Sequence, residues 1–284
     1  MMRILGTIFA GLFGLAFGSF LNVCLSRWPE GESVVEPRSH CRNCTHSLAW
    51  WENIPLFSWL VLRGRCRQCR TWIGWRYPLV EALVGASWAL IGWHSYSAFF
   101  PLECAAGLMS FAWILIGLAV LDSELFWLPD AITLPGTVLG FSWWFIQGEQ
   151  VGWALHMPKA PWEDAKNAGT RLLAILAAAG LILLIRWTYK LIRKREGLGL
   201  GDAKLMAMIA AWLGLPLTLV AFAIAVLLGS LAAILLLIRP ALQGDGDTWA
   251  LSKLPLGTFL CVGGILSSLW GQRILDAYLR WAGL

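Results

Sequence analysis

Apolar residues in this chain are gathered into long blocks instead of being spaced at the period of an amphipathic helix or strand. Uncharged blocks at 4–26, 104–121, 131–147 and 216–238 are about as long as the ~20 residues needed to cross ~30 Å of hydrocarbon. Further blocks lie at 79–100, which tolerates Glu81 near one end, and at 172–185, 203–215 and 254–270. A backbone in lipid must satisfy its own hydrogen bonds, so each block is predicted to be helical. The pattern predicts about eight transmembrane helices. The 172–185 and 203–215 blocks are short, and the count falls to six or seven if one is re-entrant.

Composition agrees. With 58% hydrophobic residues, 14% charged residues and 19 Trp among 284 residues, most of the chain cannot hide in one water-soluble core. The expected fold class is an all-α polytopic membrane protein with one small zinc-ribbon-like loop domain. Its expected divisions are a first transmembrane helix at 1–26, a cytoplasmic Cys-rich segment at 27–77 and a membrane-embedded remainder at 78–284. Lys and Arg in short loops mark the cytoplasmic side. Arg27, Arg38, Arg42, Arg63, Arg65, Arg67, Arg70 and Arg76 place 27–77 there, as Arg186, Lys190, Arg193, Lys194 and Arg195 place the segment before 197. A cleaved secretory signal is the weaker reading of the first block, since 18–23 is not a clean cleavage site.

The 27–77 segment carries Cys41-Arg42-Asn43-Cys44 and Cys66-Arg67-Gln68-Cys69, two CxxC pairs separated by 21 residues. Two such knuckles supply four thiolates for a tetrahedral structural zinc site with no open position for water. Persistent disulfides do not suit a cytoplasmic loop. A loop this small builds little core, so the metal is expected to fold it. Cys24, Cys104 and Cys261 lie in apolar blocks and read as small buried hydrophobes. The basic knuckles do not imply nucleic acid: Arg is expected here from orientation and meets anionic lipid head groups. Trp50, Trp51, Trp59, Trp72 and Trp75 suit the membrane interface.

Two carboxylates at the ends of apolar blocks need a reason, because ionisable groups beside hydrocarbon pair, line wet cavities or carry chemistry. Asp202 stands in Gly197-Leu198-Gly199-Leu200-Gly201-Asp202-Ala203-Lys204, and Asp122 in Leu121-Asp122-Ser123-Glu124. As an acid/base pair they would share one proton. Asp202 also reads as a helix N-cap. Asp130 and Glu124 rival Asp122, with capping the better role for Asp130. Lys204 either tunes the pair or reaches for the surface.

Taken together, these motifs resemble those of the type IV prepilin peptidases, the prepilin leader peptidase and N-methyltransferase family. The match runs through Gly18-Ser19-Phe20-Leu21-Asn22-Val23, Pro37-Arg38-Ser39-His40 and the first CxxC, Asn53-Ile54-Pro55-Leu56, the second CxxC, and Arg76-Tyr77-Pro78-Leu79-Val80-Glu81. It ends with Asp122, Leu128-Pro129-Asp130 and Gly199-Leu200-Gly201-Asp202-Ala203-Lys204-Leu205. One departure is Pro255-Leu256-Gly257-Thr258, where the family usually has Pro-Phe-Gly-Pro.

The resemblance implies an aspartic endopeptidase of the Gly-x-Gly-Asp class in the bacterial inner membrane, with Asp122 and Asp202 catalytic. Its implied substrates are prepilins or pseudopilins of pili or type II secretion, whose basic leader is cut at the cytoplasmic face. It also implies N-methylation of the new terminus with S-adenosylmethionine, for which the Cys41–Cys69 region is a candidate without named ligands. Zinc would be structural, on Cys41, Cys44, Cys66 and Cys69. The alternatives are a cleavage-only peptidase and, from other classes, a zinc-bearing assembly scaffold and a transporter with the Asp residues on an ion path.

Overall fold

A computed structural model describes residues 2–97, 102–154, 161–194, 199–243 and 254–283. Arg195, Gly197 and Leu198 lie outside the described residues, as does the side chain of Cys104. The described chain is mostly helical: α1 (Met2–Arg27), α2 (Phe57–Val61), α3 (Arg76–Ser97), α4 (Leu102–Leu125), α5 (Asp130–Ala154), α6 (Pro161–Arg193), α7 (Leu200–Leu213), α8 (Leu215–Gln243) and α9 (Leu256–Ala282). Among the described residues, each of the eight apolar blocks falls mainly on a helix of its own.

Among the described residues, four helices are long and apolar enough to span a membrane: Met2–Glu30, Ala105–Leu125, Asn167–Arg193 and Leu215–Leu236. Their outward faces are apolar, with Phe9, Leu12, Leu173, Leu176, Leu227 and Leu231 exposed. Such faces are stable only against lipid or protein. The chain is therefore an integral membrane protein. The expectation of a span at 203–215 meets a physical limit, because α7 has 14 residues. At ~1.5 Å per residue it reaches only ~21 Å.

The chain divides within α4 into two compact units, Met1–Gly117 and Leu118–Leu284. In the first, α1 packs along α3. Small residues set that approach: a Cβ on Gly14 would lie 2.9 Å from Trp88 Cβ, and one on Gly18 would lie 2.7 Å from Glu81 Cα. Without a hydrophobic drive between helices in lipid, such close backbone packing supplies the association. The start of α4 is tied in by Trp88 Nε1–H to Met109 O (3.0 Å) and Trp113 Nε1–H to Phe17 O (3.0 Å).

The connecting segment of this unit has little regular structure beyond α2 and two short 3₁₀ turns at Trp28–Glu30 and Trp50–Asn53. Each CxxC closes a tight hairpin, marked by the bridges His40 to Ser47 and Arg65 to Trp72. The two hairpins repeat one backbone plan. Cys41 N–H donates to His46 O and Thr45 N–H to Cys41 O, as Cys66 N–H does to Thr71 O and Arg70 N–H to Cys66 O. Trp59, Trp72 and Trp75 pack on one another with ring centroids 4.5 to 5.9 Å apart.

In the second unit α7 is the central helix, packed by α5, α6, α8 and α9. Leu205, Met206, Met208, Ile209, Ala210 and Ala211 are fully buried, the pattern of a helix apolar all round. Trp212 Nε1–H reaches Gly136 O on α5 at 2.9 Å. On α9, Gly263 lies directly on the Ala221 carbonyl of α8.

Candidate functional site

The carboxylates singled out in the sequence both belong to the second unit, on different helices. Asp122 sits in the last turn of α4 and Asp202 in the first turn of α7. Both are buried, at 5% and 8% exposure. Two glycines and one leucine bring their surroundings together. A Cβ on Gly257 would meet Asp122 Oδ2 at 2.9 Å and Leu128 Cδ1 at 2.9 Å, while one on Gly201 would meet Leu128 Cβ at 3.0 Å. Leu128 therefore touches both the α9 turn beside Asp122 and the α7 turn that carries Asp202. The two carboxylates lie close enough to act on each other electrostatically, and buried Cys261, one turn along α9 from Thr258, lies within reach of both.

Each carboxylate is held by a backbone N–H on the oxygen named Oδ2. Thr258 donates to Asp122 from its N–H (2.6 Å) and its hydroxyl (3.1 Å). Gly199 N–H donates to Asp202 at 3.1 Å. Asp202 is thus not the N-cap of α7: Gly199 is, and Asp202 at the third helical position reaches back to it as the acid of a capping box does. The helix N-terminus favours a negative charge there. Thr258 was visible in the sequence only as the departure from the family's usual Pro. Proline could offer neither donor.

The rival acids fall away from this arrangement. Glu124 is exposed. Asp130 is bound through both oxygens to Lys204 Nζ, at 2.6 and 2.7 Å. That pairing, and not a cap, is the contact Asp130 makes. It also answers the open question about Lys204, whose ammonium is spent on Asp130.

In the first unit, the Sγ atoms of Cys41, Cys44, Cys66 and Cys69 lie within 4.8 Å of one another. Cys41 and Cys69 are 3.7 Å apart and Cys44 and Cys66 are 3.9 Å apart. A tetrahedron with ~2.3 Å zinc–sulfur bonds has edges of about 3.8 Å, so the donor set fits zinc. Four thiols held this close do not ionise together unaided. Cys69 is drawn down to about 5, first by the Thr71 hydroxyl, then by the Thr71 backbone and Asn43. Cys44 goes up to about 12: the His46 backbone favours its thiolate, but desolvation and the neighbouring sulfurs outweigh that help. A divalent cation removes the conflict. The apolar-block cysteines Cys24 and Cys261 are buried and free, as small hydrophobes should be.

Residues 12–95 match the bacterial peptidase A24 N-terminal domain, and residues 109–235 match the type IV leader peptidase family. The chain is 32% identical to a prepilin leader peptidase/N-methyltransferase of Stutzerimonas stutzeri, over 96% of this chain and 93% of that one. It is 33% identical to the protein of the same name from Pseudomonas aeruginosa over 96% and 93%, and to that of Aeromonas hydrophila over 94% and 92%. No solved structure matches the chain. With both halves matched in order, and with relatives covered almost end to end, the chain belongs to the type IV leader peptidase family.

Proposed function

We propose that this protein cleaves the leader from prepilins or pseudopilins and then N-methylates the terminus it exposes. The observation that carries the reading is that Asp122 and Asp202, 80 residues apart, are buried close enough to act on each other, with Leu128 packed against both the α9 turn beside Asp122 and the α7 turn that carries Asp202. Peptide hydrolysis needs a base for water and an acid for the carbonyl oxygen and the leaving amine, and two adjacent carboxylates sharing one proton supply both. With each Oδ2 held by a backbone N–H, the Oδ1 atoms are the oxygens free to bind the shared proton and the water. The ionised member takes the water's proton as its oxygen attacks the scissile carbonyl. The protonated member gives its proton to the carbonyl oxygen, and the leaving nitrogen is protonated as the tetrahedral carbon collapses. Gly201 and Gly257 let Leu128 and Asp122 pack directly against their turns, which draws the helix ends that carry the pair together.

In this reading the protein sits in the bacterial inner membrane with about eight helices embedded, α7 being a short one enclosed by its neighbours. Segment 27–77 and both Asp residues face the cytoplasm, where a basic leader would remain while the pilin's apolar helix stays in lipid. Zinc on Cys41, Cys44, Cys66 and Cys69 would hold the two knuckles together, and S-adenosylmethionine would supply the methyl group. Names carried by the relatives support both activities. Mass spectrometry of a prepilin incubated with membranes containing the wild-type chain tests them jointly. Expected is loss of the leader and a gain of one methyl group at the new amine. A mature but unmethylated product restricts the enzyme to proteolysis, and an intact prepilin overturns the reading.

A further inference from the structure

The short helix α2 stands at an unexpected depth for part of a connecting segment. Its entry turn is tied to α3, where Leu56 N–H donates to Glu81 Oε2 at 2.8 Å. Glu81 is level with Gly18 of α1, since a Cβ on Gly18 would lie 2.7 Å from Glu81 Cα. Gly18 in turn lies well inside a helix long and apolar enough to span a membrane, nine residues before Arg27 and so ~13 Å along the axis from it. On α3, Leu79 and Leu83 flank Glu81 in sequence and are exposed, as lipid-facing positions should be. The chain at Leu56 therefore runs beside the apolar part of the α1–α3 pair. At that depth a backbone N–H needs an acceptor from the protein itself, and the buried Glu81 carboxylate is that acceptor.

The side chains of α2 divide accordingly. Trp59 turns inward: its Nε1–H donates to Ile73 O at 3.1 Å and its ring packs on Trp72 and Trp75. Phe57, Leu60 and Val61, at the i, i+3 and i+4 positions of the opposite face, are 60%, 66% and 58% exposed. In water this would be an unpartnered apolar patch. It continues instead the exposed apolar surface of Trp75, Leu79 and Leu83 at the start of α3. The charge around it is of one sign. No acidic residue occurs between 53 and 80, and exposed Arg63, Arg65 and Arg70, just beyond α2, make no ion pair among the described residues.

We propose that α2 is an interfacial membrane anchor: Phe57, Leu60 and Val61 enter the lipid beside α3, and Arg63, Arg65 and Arg70 lie over anionic head groups. Apolar burial and charge attraction then act together, as they do for helices that lie in the plane of a bilayer. Through the Trp59 contacts the anchor fixes the second CxxC hairpin at a set height on the membrane.

The test is photolabelling of the zinc-loaded full chain, one copy per nanodisc, by a phospholipid with a diazirine on its acyl chain, with adducts mapped by mass spectrometry. Discs of phosphatidylcholine alone are compared with discs that also contain phosphatidylglycerol. Expected are adducts on Phe57, Leu60 or Val61 as well as on Leu79 and Leu83. Anionic discs should raise labelling of 57–61, relative to Leu79 and Leu83, at least about twofold, because each arginine near the surface adds attraction. The triple variant Arg63→Gln, Arg65→Gln, Arg70→Gln should lose that increase, and Leu60→Glu should lose most labelling of 57–61 in either disc. Labelled Leu79 and Leu83 with 57–61 bare would mean that water or another protein covers this face, and would overturn the anchor. Wild-type labelling of 57–61 in Leu60→Glu would overturn it too. Equal labelling in neutral and anionic discs would overturn the head-group pairing.

Discussion

Gly257→Ala is the smallest change that should disable the proposed peptidase pair without touching either acid. The added Cβ would lie 2.9 Å from Asp122 Oδ2 and 2.9 Å from Leu128 Cδ1, about half an ångström inside the 3.4 Å at which ordinary contact begins. Asp122 cannot retreat freely, because its Oδ2 is held at 2.6 Å by the N–H of Thr258, the residue next to Gly257. Relieving the clash therefore loosens that bond. A hydrogen bond to a charged group is worth about 1.5–3 kcal/mol, and losing it from the transition state slows turnover about 10- to 150-fold. The assay is leader release from a synthetic prepilin by the purified chain in nanodiscs, with kcat and KM determined separately. The expected outcome is a lowered kcat, a KM within about twofold of wild type and an unfolding midpoint lowered by no more than about 1–3 kcal/mol of overpacking allows. Wild-type kcat in Gly257→Ala would refute the claim that this turn positions Asp122.

Further outcomes follow from other contacts. Thr258→Val keeps the N–H but removes a hydroxyl whose single proton serves either Ala119 O or Asp122 Oδ2, both at 3.1 Å. At about 0.5–1.5 kcal/mol for such a bond, kcat should fall roughly two- to twelvefold; equal kinetics would show the hydroxyl to be idle. Lys204→Met breaks a solvent-exposed ion pair with Asp130, worth less than about 1 kcal/mol, so leader cleavage should be unchanged. A large loss of kcat would place Lys204 at the acid pair instead. Cys41→Ser and Cys66→Ser should each lose bound zinc by elemental analysis, since both sulfurs belong to the four-thiol cluster. Full zinc content in either variant would contradict the four-sulfur site. Gly18→Val forces a side chain into the Glu81 backbone of α3 and should lower stability by about 1–3 kcal/mol, read as a lower unfolding midpoint.

Features written in contiguous residues were legible in the sequence. Apolar blocks mark helices wherever lipid forbids any other backbone, so eight of the nine α-helices among the described residues could be placed before any coordinates. The CxxC pairs announced four sulfurs that meet, because each knuckle fixes its own geometry. What stayed hidden depends on contacts distant in sequence. Nothing in Pro255-Leu256-Gly257-Thr258 says that its glycine lies against Asp122, or that Thr258 supplies two donors to it. Asp202 looked like a cap because sequence alone cannot tell a first-turn acid from the residue before it, and three positions decide between them. Lys204 and Asp130 are 74 residues apart, so their pairing carried no local signal. Segment 203–215 read as a span on apolarity, whereas the 14 residues of α7 and the burial of most of them make it the packed centre of its unit. Glu52 and Asn22 carried no local signal of burial, because it takes the fold to enclose them around one recess.

The central claim is that Asp122 and Asp202 act as one catalytic unit. Its most direct test is a cycle of prepilin cleavage rates for wild type, Asp122→Asn, Asp202→Asn and the double variant. Residues that work as a unit are strongly non-additive. Each single change should remove nearly all leader cleavage, and the double variant should be no slower than the slower single one. Near wild-type turnover in either single variant, or losses that multiply in the double variant, would contradict the account.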